Sequence, residues 1–265
     1  RDRINIGLQS INRKELAILG RVHTEKDFYD TFKTSRKAGF KNIGVDIIYG
    51  IPSQTSDLLK RTLMEIIKLY PEHISAYSLT FEEGTYLKKL LDNGNLKRLN
   101  DDKIREFYKA TIKMLESSGY KQYEISNFSR PEYECLHNLN YWNLKPYLGF
   151  GLGAHTFDGK KRAWNTKIFS HYFSMLDKNK FPTEGKEVLT EEQKKIEMIM
   201  LGLRKSEGIS INNFKIRFGI KETDNFMKKV SKLNIGEKFF KITDDNIYLT
   251  VEGKLIMDEL VLMLI

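Results

Sequence analysis

Asn42-Ile43-Gly44-Val45-Asp46-Ile47-Ile48-Tyr49-Gly50-Ile51-Pro52 sets the fold of the first half of the chain. The run rich in Ile and Val predicts a strand over 42–48, and Gly50 and Pro52 make the turn that ends it. Ser56 then stands as the N-cap of an amphipathic helix over 56–70. The same unit recurs on both sides. A strand over 3–9 precedes a loop and a helix over 25–38. A strand over 73–79 precedes a turn at 82–85 and a helix over 101–118, with Asp101 as its N-cap. Gly39 and Gly119 stand where a C-terminal glycine stop belongs. Apolar strands alternating with helices predict parallel strands covered on both faces, in a doubly wound sheet or an α/β barrel.

Beyond Gly119 the regularity fades. Residues 120–157 are rich in aromatic residues, Gly and Asn, which points to irregular structure around a site. A different character starts near Thr190, with helices expected over 190–205, 210–217 and 222–233. Strands over 239–242 and 246–249 follow, joined through Asp244-Asp245, and a last helix begins near Thr250. Helices followed by a small hairpin form the winged-helix pattern. The boundary is placed between 178 and 190, where Pro182 and Gly185 punctuate a polar stretch, giving domains 1–180 and 186–265.

Composition narrows the classes. The 265 residues are 40% hydrophobic and 30% charged, as in a globular protein rather than a disordered one. The apolar tail 255–265 is broken by Asp258 and Glu259, and no run suits a bilayer span. The single cysteine, Cys135, excludes an intramolecular disulfide, and no signal peptide opens the sequence, so a cytoplasmic location is expected. The net charge of +9 is scattered in lysines rather than gathered in a block, which reads as a solvated basic surface. A winged-helix nucleic-acid binder is the remote reading. No helix of the second domain concentrates Arg and Lys, and Asp244 and Asp245 on the wing repel phosphates.

Polar residues mark the ends of the strands, where α/β barrels carry their chemistry. Gln9 ends the first, Asp46 lies near the end of the second, Thr80 ends the third, and Arg21 falls in the first strand–helix loop. An Arg suits a carboxylate through paired N–H bonds, and Asp or Gln suits a diol. On position alone a second reading stands beside this one: Asp46 as a loop tether and Arg21 as a surface ion-pair partner.

Several ordered segments resemble the HemW/HemN family of radical-SAM proteins. They are Ile6-Gly7-Leu8-Gln9-Ser10 with Leu19-Gly20-Arg21-Val22-His23, then Asp46 to Thr55, then His73-Ile74-Ser75-Ala76-Tyr77-Ser78-Leu79-Thr80 with Glu83-Gly84-Thr85. Tyr120 to Phe128 follows, and last come Cys135-Leu136-His137-Asn138-Leu139-Asn140-Tyr141-Trp142 and Tyr147 to His155. The resemblance implies a partial TIM-type barrel missing its first strands, with a small winged-helix-like, mostly α, C-terminal domain. It implies S-adenosylmethionine beside a [4Fe-4S] cluster, with Gln9, Arg21, Asp46 and Thr80 as the S-adenosylmethionine contacts. The family's cluster cysteines are expected upstream of Arg1, and this chain supplies no cluster ligand.

The His137-to-Trp142 segment resembles the motif that marks heme chaperones, which implies heme contact by His137, Asn138 and Tyr141. The alternative is that His137 and Asn138 tie down a loop while Tyr141 and Trp142 pack. The expected function is heme binding and delivery to acceptor proteins. The runner-up is an oxygen-independent coproporphyrinogen III oxidase. Gly149-Phe150-Gly151-Leu152-Gly153 lacks the dinucleotide fingerprint and reads instead as a close backbone approach to the barrel mouth, with His155 beside it. Because the chain starts with Arg1 inside a strand, it is expected to be cut, inactive alone, and poorly soluble or oligomeric through an open edge at 4–8.

Overall fold

The computed structural model describes residues 3–265, in two compact units, one ending at Glu134 and the other running from Cys135 to Ile265. The first unit runs β1 (Arg3–Gln9), α1 (Arg13–Ile18), α2 (Glu25–Lys37), β2 (Asn42–Tyr49), α3 (Ser56–Leu69), β3 (His73–Ser78), α4 (Tyr86–Asp92), α5 (Asp101–Glu116), β4 (Lys121–Gln122) and β5 (Asn127–Ser129). Its strands form an open sheet in the order β1-β2-β3-β5-β4. β1, β2 and β3 are parallel, and β5 and β4 join antiparallel, so the expected strand–helix repeat holds through β3. Among the described residues the sheet does not close, and the architecture is a partial α/β barrel.

The two faces of this sheet differ. Ile6, Val45, Ile74 and Phe128 form one apolar row across four strands, and Ile43, Ile47 and Ala76 share that face. All are buried, together with Phe28 and Phe32 of α2, Leu59, Leu63 and Ile66 of α3, and Phe107 and Leu115 of α5. Burying each such side chain contributes about 1.5–3 kcal/mol relative to exposure. The opposite face is polar: Asn5, Gly44, His73 and Ser129 form one row, and Gly7, Asp46, Ser75 and Asn127 the next. The expectation of strands covered by apolar groups on both faces is therefore corrected. The strands alternate with period two, and only one face belongs to the apolar core.

Two further expectations change. The caps of α3 and α5 are Thr55 and Asn100, not Ser56 and Asp101. Their side-chain oxygens accept from Leu58 N (3.3 Å) and Lys103 N (2.8 Å). The Ser56 hydroxyl instead donates to Glu106 Oε1 at 2.6 Å. β1 does form one edge of the sheet, yet Ile6 and Leu8 are buried, because α2 packs on it.

The second unit contains α6 (Leu136–Trp142), β6 (His155–Phe157), β7 (Lys161–Asn165), α7 (Phe169–Asp177), β8 (Thr183–Val188), α8 (Glu191–Arg204), β9 (Ile209–Ser210), α9 (Ile211–Phe218), α10 (Ile220–Leu233), β10 (Phe240–Ile242), β11 (Asn246–Leu249), α11 (Val251–Leu255) and α12 (Met257–Leu264). β6, β7 and β8 make an antiparallel sheet, so the stretch with Pro182 and Gly185 is largely a paired strand. Gly185 is required there: an added Cβ would run into the Trp164 ring lying over it. The rest is the expected winged-helix pattern, with β9 as third strand of the hairpin sheet. Its core is Ile199, Leu203, Phe214, Phe226, Val230 and Phe240, with the Phe214 and Phe226 rings stacked at 4.8 Å.

Candidate functional site

At the C-terminal end of β1, Gln9 takes a left-handed backbone (φ 64°), and the β1–β2 register shifts there. Its side chain folds back over Gly7, where an added Cβ would lie 2.6 Å from Nε2. Gly7 pairs with Asp46, so the Gln9 amide and the Asp46 carboxylate belong to one region of the polar face. Asp46 Oδ1 is buried without a hydrogen-bond partner. Burial pushes the Asp46 carboxyl above its ordinary range, while the Ser75 hydroxyl beside it pulls the other way. A buried lone pair of this kind calls for a donor.

Arg21 follows α1, which ends in a Schellman turn: Gly20 is left-handed (φ 67°) and Arg21 N donates to Leu16 O at 2.9 Å. The Arg21 side chain is exposed and makes no hydrogen bond or ion pair with another described residue. Thr80 is exposed just beyond β3. The structure thus brings Gln9 and Asp46 together and places Arg21 and Thr80 on connections that follow β1 and β3.

Glu15, which a surface helix reading passes over, lies buried beneath this rim. Its Oε2 accepts from Ser10 Oγ (2.5 Å) and Gln54 Nε2 (3.1 Å), and Gln54 Oε1 accepts from Gly50 N (2.8 Å). Burial raises its carboxyl, with the two side-chain hydrogen bonds opposing. The connection after β1 is thereby tied to the one after β2.

More of the polar face went unread in the sequence. His73 is buried, its Nε2 is 2.8 Å from the Tyr123 hydroxyl, and its Nδ1 has no partner. Burial, with Arg3 nearby, pushes the ring down to about 3, so it is neutral. Asn127 Oδ1 and Ser129 Oγ, on the same face, are also buried and unpartnered. Glu124 Oε1 accepts from Ser126 N (2.9 Å) and Asn127 Nδ2 (2.5 Å). The available signal was the period-two alternation of His73, Ser75 and Tyr77 with Ile74 and Ala76.

In the second unit, α6 carries all three residues of the heme-type segment. His137 is exposed in its first turn and meets the Tyr141 ring edge-on at 4.9 Å. Tyr141 meets Tyr147 at 4.6 Å, and Tyr147 meets Phe157 at 6.2 Å, so the imidazole ends an aromatic column. Asn138 is half-buried. The His155 ring stacks on Trp164 at 5.9 Å. Leu148, Phe150, Phe169 and Phe181 of the same unit are each more than 60% exposed. Among the described residues no group of three or more His, Cys, Asp or Glu could hold a metal ion.

Known proteins give the class first. Residues 1–66 match the Radical SAM superfamily and residues 189–256 the HemN C-terminal domain. The fold superposes on coproporphyrinogen III oxidase (HemN) of Escherichia coli, a radical-SAM enzyme, with a TM-score of 0.78 and 19% identity. That match covers 99% of this chain and 63% of the other, and at such identity it shows the fold alone. Among curated proteins the chain is 36% identical to the heme chaperone HemW of Bacillus subtilis, covering 97% of this chain and 68% of that one. It is 32% identical to that of Lactococcus lactis, with 95% and 66% covered. A Danio rerio protein, radical S-adenosyl methionine domain-containing protein 1, mitochondrial, is 29% identical over 98% of this chain and 61% of its own length. The chain belongs to the HemW family of radical-SAM proteins. It spans about two-thirds of the length of the curated relatives it matches.

Proposed function

We propose that the protein is a heme chaperone, binding heme at the α6 surface and delivering it to acceptor proteins. The observation that carries this reading is the exposed His137 on its aromatic column, in a unit that also exposes Leu148, Phe150, Phe169 and Phe181. Histidine is a common heme ligand, and a porphyrin ring needs an apolar, aromatic bed. His137, Asn138 and Tyr141 are the assigned heme contacts. The relatives named as heme chaperones support the chaperone reading. The oxidase alternative rests on a likeness in fold, which carries no substrate.

The polar rim suits S-adenosylmethionine. Asp46 Oδ1 offers the acceptor that a ribose hydroxyl needs, Gln9 an amide, and the unpaired Arg21 guanidinium a partner for the amino-acid carboxylate, with Thr80 alongside. Beside a [4Fe-4S] cluster this molecule supplies one-electron chemistry. Cys135 is the one cysteine of the sequence, and we assign no cluster ligand to these 265 residues. No described helix is long and apolar enough to cross a membrane, and we place the protein in the cytoplasm.

Titration with heme, followed in the Soret band, tests the main reading. The wild-type chain should bind and shift the band, and His137→Ala should weaken or displace that shift. Absence of binding by wild type removes the chaperone assignment. Asp46→Ala and Arg21→Ala should lower S-adenosylmethionine retention in equilibrium dialysis while leaving heme binding in place.

A further inference from the structure

Three side chains proposed to hold S-adenosylmethionine come from separate pieces of chain: Gln9 at the end of β1, Arg21 after α1 and Asp46 on β2. Local structure alone does not fix their spacing. Gln9 has a left-handed backbone (φ 64°), a costly conformation that persists only where its surroundings hold it. α1 is six residues long, well below the length of about 12 at which an isolated helix becomes even marginally stable. The turn after β2 contains two more positive φ angles, at Gly50 (79°) and Ser53 (66°).

All three pieces converge on Glu15. Ser10, buried next to Gln9, donates through its hydroxyl to Glu15 Oε2 and accepts from Asn12 N at 2.9 Å. Glu15 and Leu16 are the two buried residues of α1, so this carboxylate is the polar anchor of the helix that leads to Arg21. Two residues beyond Arg21, His23 Nε2 lies 3.1 Å from Leu8 O, which ties the far end of the same connection to β1. On the other side Gln54 donates to Glu15 Oε2 and closes the Gly50 turn, four residues beyond Asp46. A carboxylate only accepts, and here one of its oxygens serves buried donors from two connections. An apolar side chain of the same size would release both.

We propose that Glu15 is a positioning residue for S-adenosylmethionine. Its carboxylate sets the spacing between the Gln9 and Arg21 side of the rim and the Asp46 side, so that one molecule engages both. The inference rests on the S-adenosylmethionine reading of the rim. Glu15 is buried beneath that rim and acts through Ser10, α1 and Gln54 rather than by contact with the ligand. Its loss leaves every contact residue in the chain and changes the distance between them. A ligand that reaches only the Asp46 side is then bound as before, whereas one that spans both sides is not.

The test compares S-adenosylmethionine with methylthioadenosine, which keeps the adenine and ribose but lacks the amino-acid arm. Both are measured by equilibrium dialysis on folded protein. Glu15→Leu keeps the bulk without an acceptor, and Glu15→Gln keeps one acceptor oxygen for Ser10 and Gln54. Ser10→Ala removes a single buried oxygen and carries the test if Glu15→Leu does not fold. Wild type should bind S-adenosylmethionine about tenfold more tightly than methylthioadenosine, the scale of one charge-assisted hydrogen bond. Glu15→Leu and Ser10→Ala should lose most of that preference with the affinity for methylthioadenosine unchanged, and Glu15→Gln should retain it. An unchanged preference in Glu15→Leu and Ser10→Ala, or a loss of both ligands alike, overturns the positioning role and leaves the S-adenosylmethionine reading standing. Equal wild-type affinity for the two ligands also overturns it, because nothing then spans the rim. A wild-type chain that retains neither ligand overturns both readings.

Discussion

The two units of the molecule show opposite kinds of incompleteness. The first exposes few large apolar side chains, Val22 and Tyr86 most of all, but leaves Glu15 Oε1, Asp46 Oδ1, His73 Nδ1, Asn127 Oδ1 and Ser129 Oγ buried without partners. The second satisfies most of its buried polar atoms but holds Leu148, Phe150, Ile168, Phe169 and Phe181 out to solvent. Orphaned polar atoms call for a ligand of hydroxyls and charges, and exposed aromatic and aliphatic groups call for a flat apolar one. One chain thus carries two regions of unlike chemistry, in keeping with the unlike ligands of the two proposed sites.

The sharpest way to break this contrast is through the core. Leu63→Ala, in the fully buried face of α3, should cost about 2–5 kcal/mol in urea unfolding. A smaller loss would mean that the helix-covered face is not the stabilising side of the sheet.

Acid separates the units next. His73 resists protonation down to about pH 3 in the folded protein, against an ordinary value of 6.5. The unfolded chain takes the proton first, so this contribution is complete above pH 6.5 and is lost as pH falls towards 3. The full slope is about 1.4 kcal/mol per pH unit. Glu15 and Asp46, raised by burial, act in the other direction: their cost is felt at neutral pH and disappears as acid protonates them. Between pH 6.5 and 4.5 wild type should therefore lose more stability than His73→Asn, by about 2–3 kcal/mol, measured as unfolding free energy at each pH. Parallel curves would mean that the ring is not buried in neutral form.

Smaller effects probe the sites directly. Asp46→Asn removes a desolvated carboxylate and should raise stability by about 1 kcal/mol at pH 7, on the scale of other function-for-stability exchanges. S-adenosylmethionine retention should fall in the same variant. Phe150→Ser, at a side chain 86% exposed, should change stability by no more than about 0.5 kcal/mol. Its heme affinity should nevertheless drop, and an unchanged heme titration would detach the exposed apolar display from the proposed site.

The first unit was largely legible because its strands and helices obey local rules. Glycine stops at Gly39 and Gly119, apolar runs and helix periodicity all agree with the packing. The caps were displaced by one residue because Thr55 and Ser56, like Asn100 and Asp101, are adjacent capping types, and only geometry chooses between them. The β6–β8 sheet was not legible. Its strands carry Lys161, Arg162, Glu184, Lys186 and Glu187, and its edge strand β8 alternates exposed and half-buried residues without an apolar core face. Of the sites, Gln9 and Asp46 were readable from strand-end position, whereas Glu15 was hidden in a charged run, Arg13-Lys14-Glu15, that resembles any solvated helix.

That hidden glutamate has a consequence for how the chain can vary. Ser10, Glu15 and Gln54 share one carboxylate oxygen beneath two different connections. Replacing any one strands the polar groups of the others in a space too enclosed for bulk water to rescue them. The three positions are therefore energetically coupled, and a substitution at one should cost less when its partners are replaced by apolar groups with it.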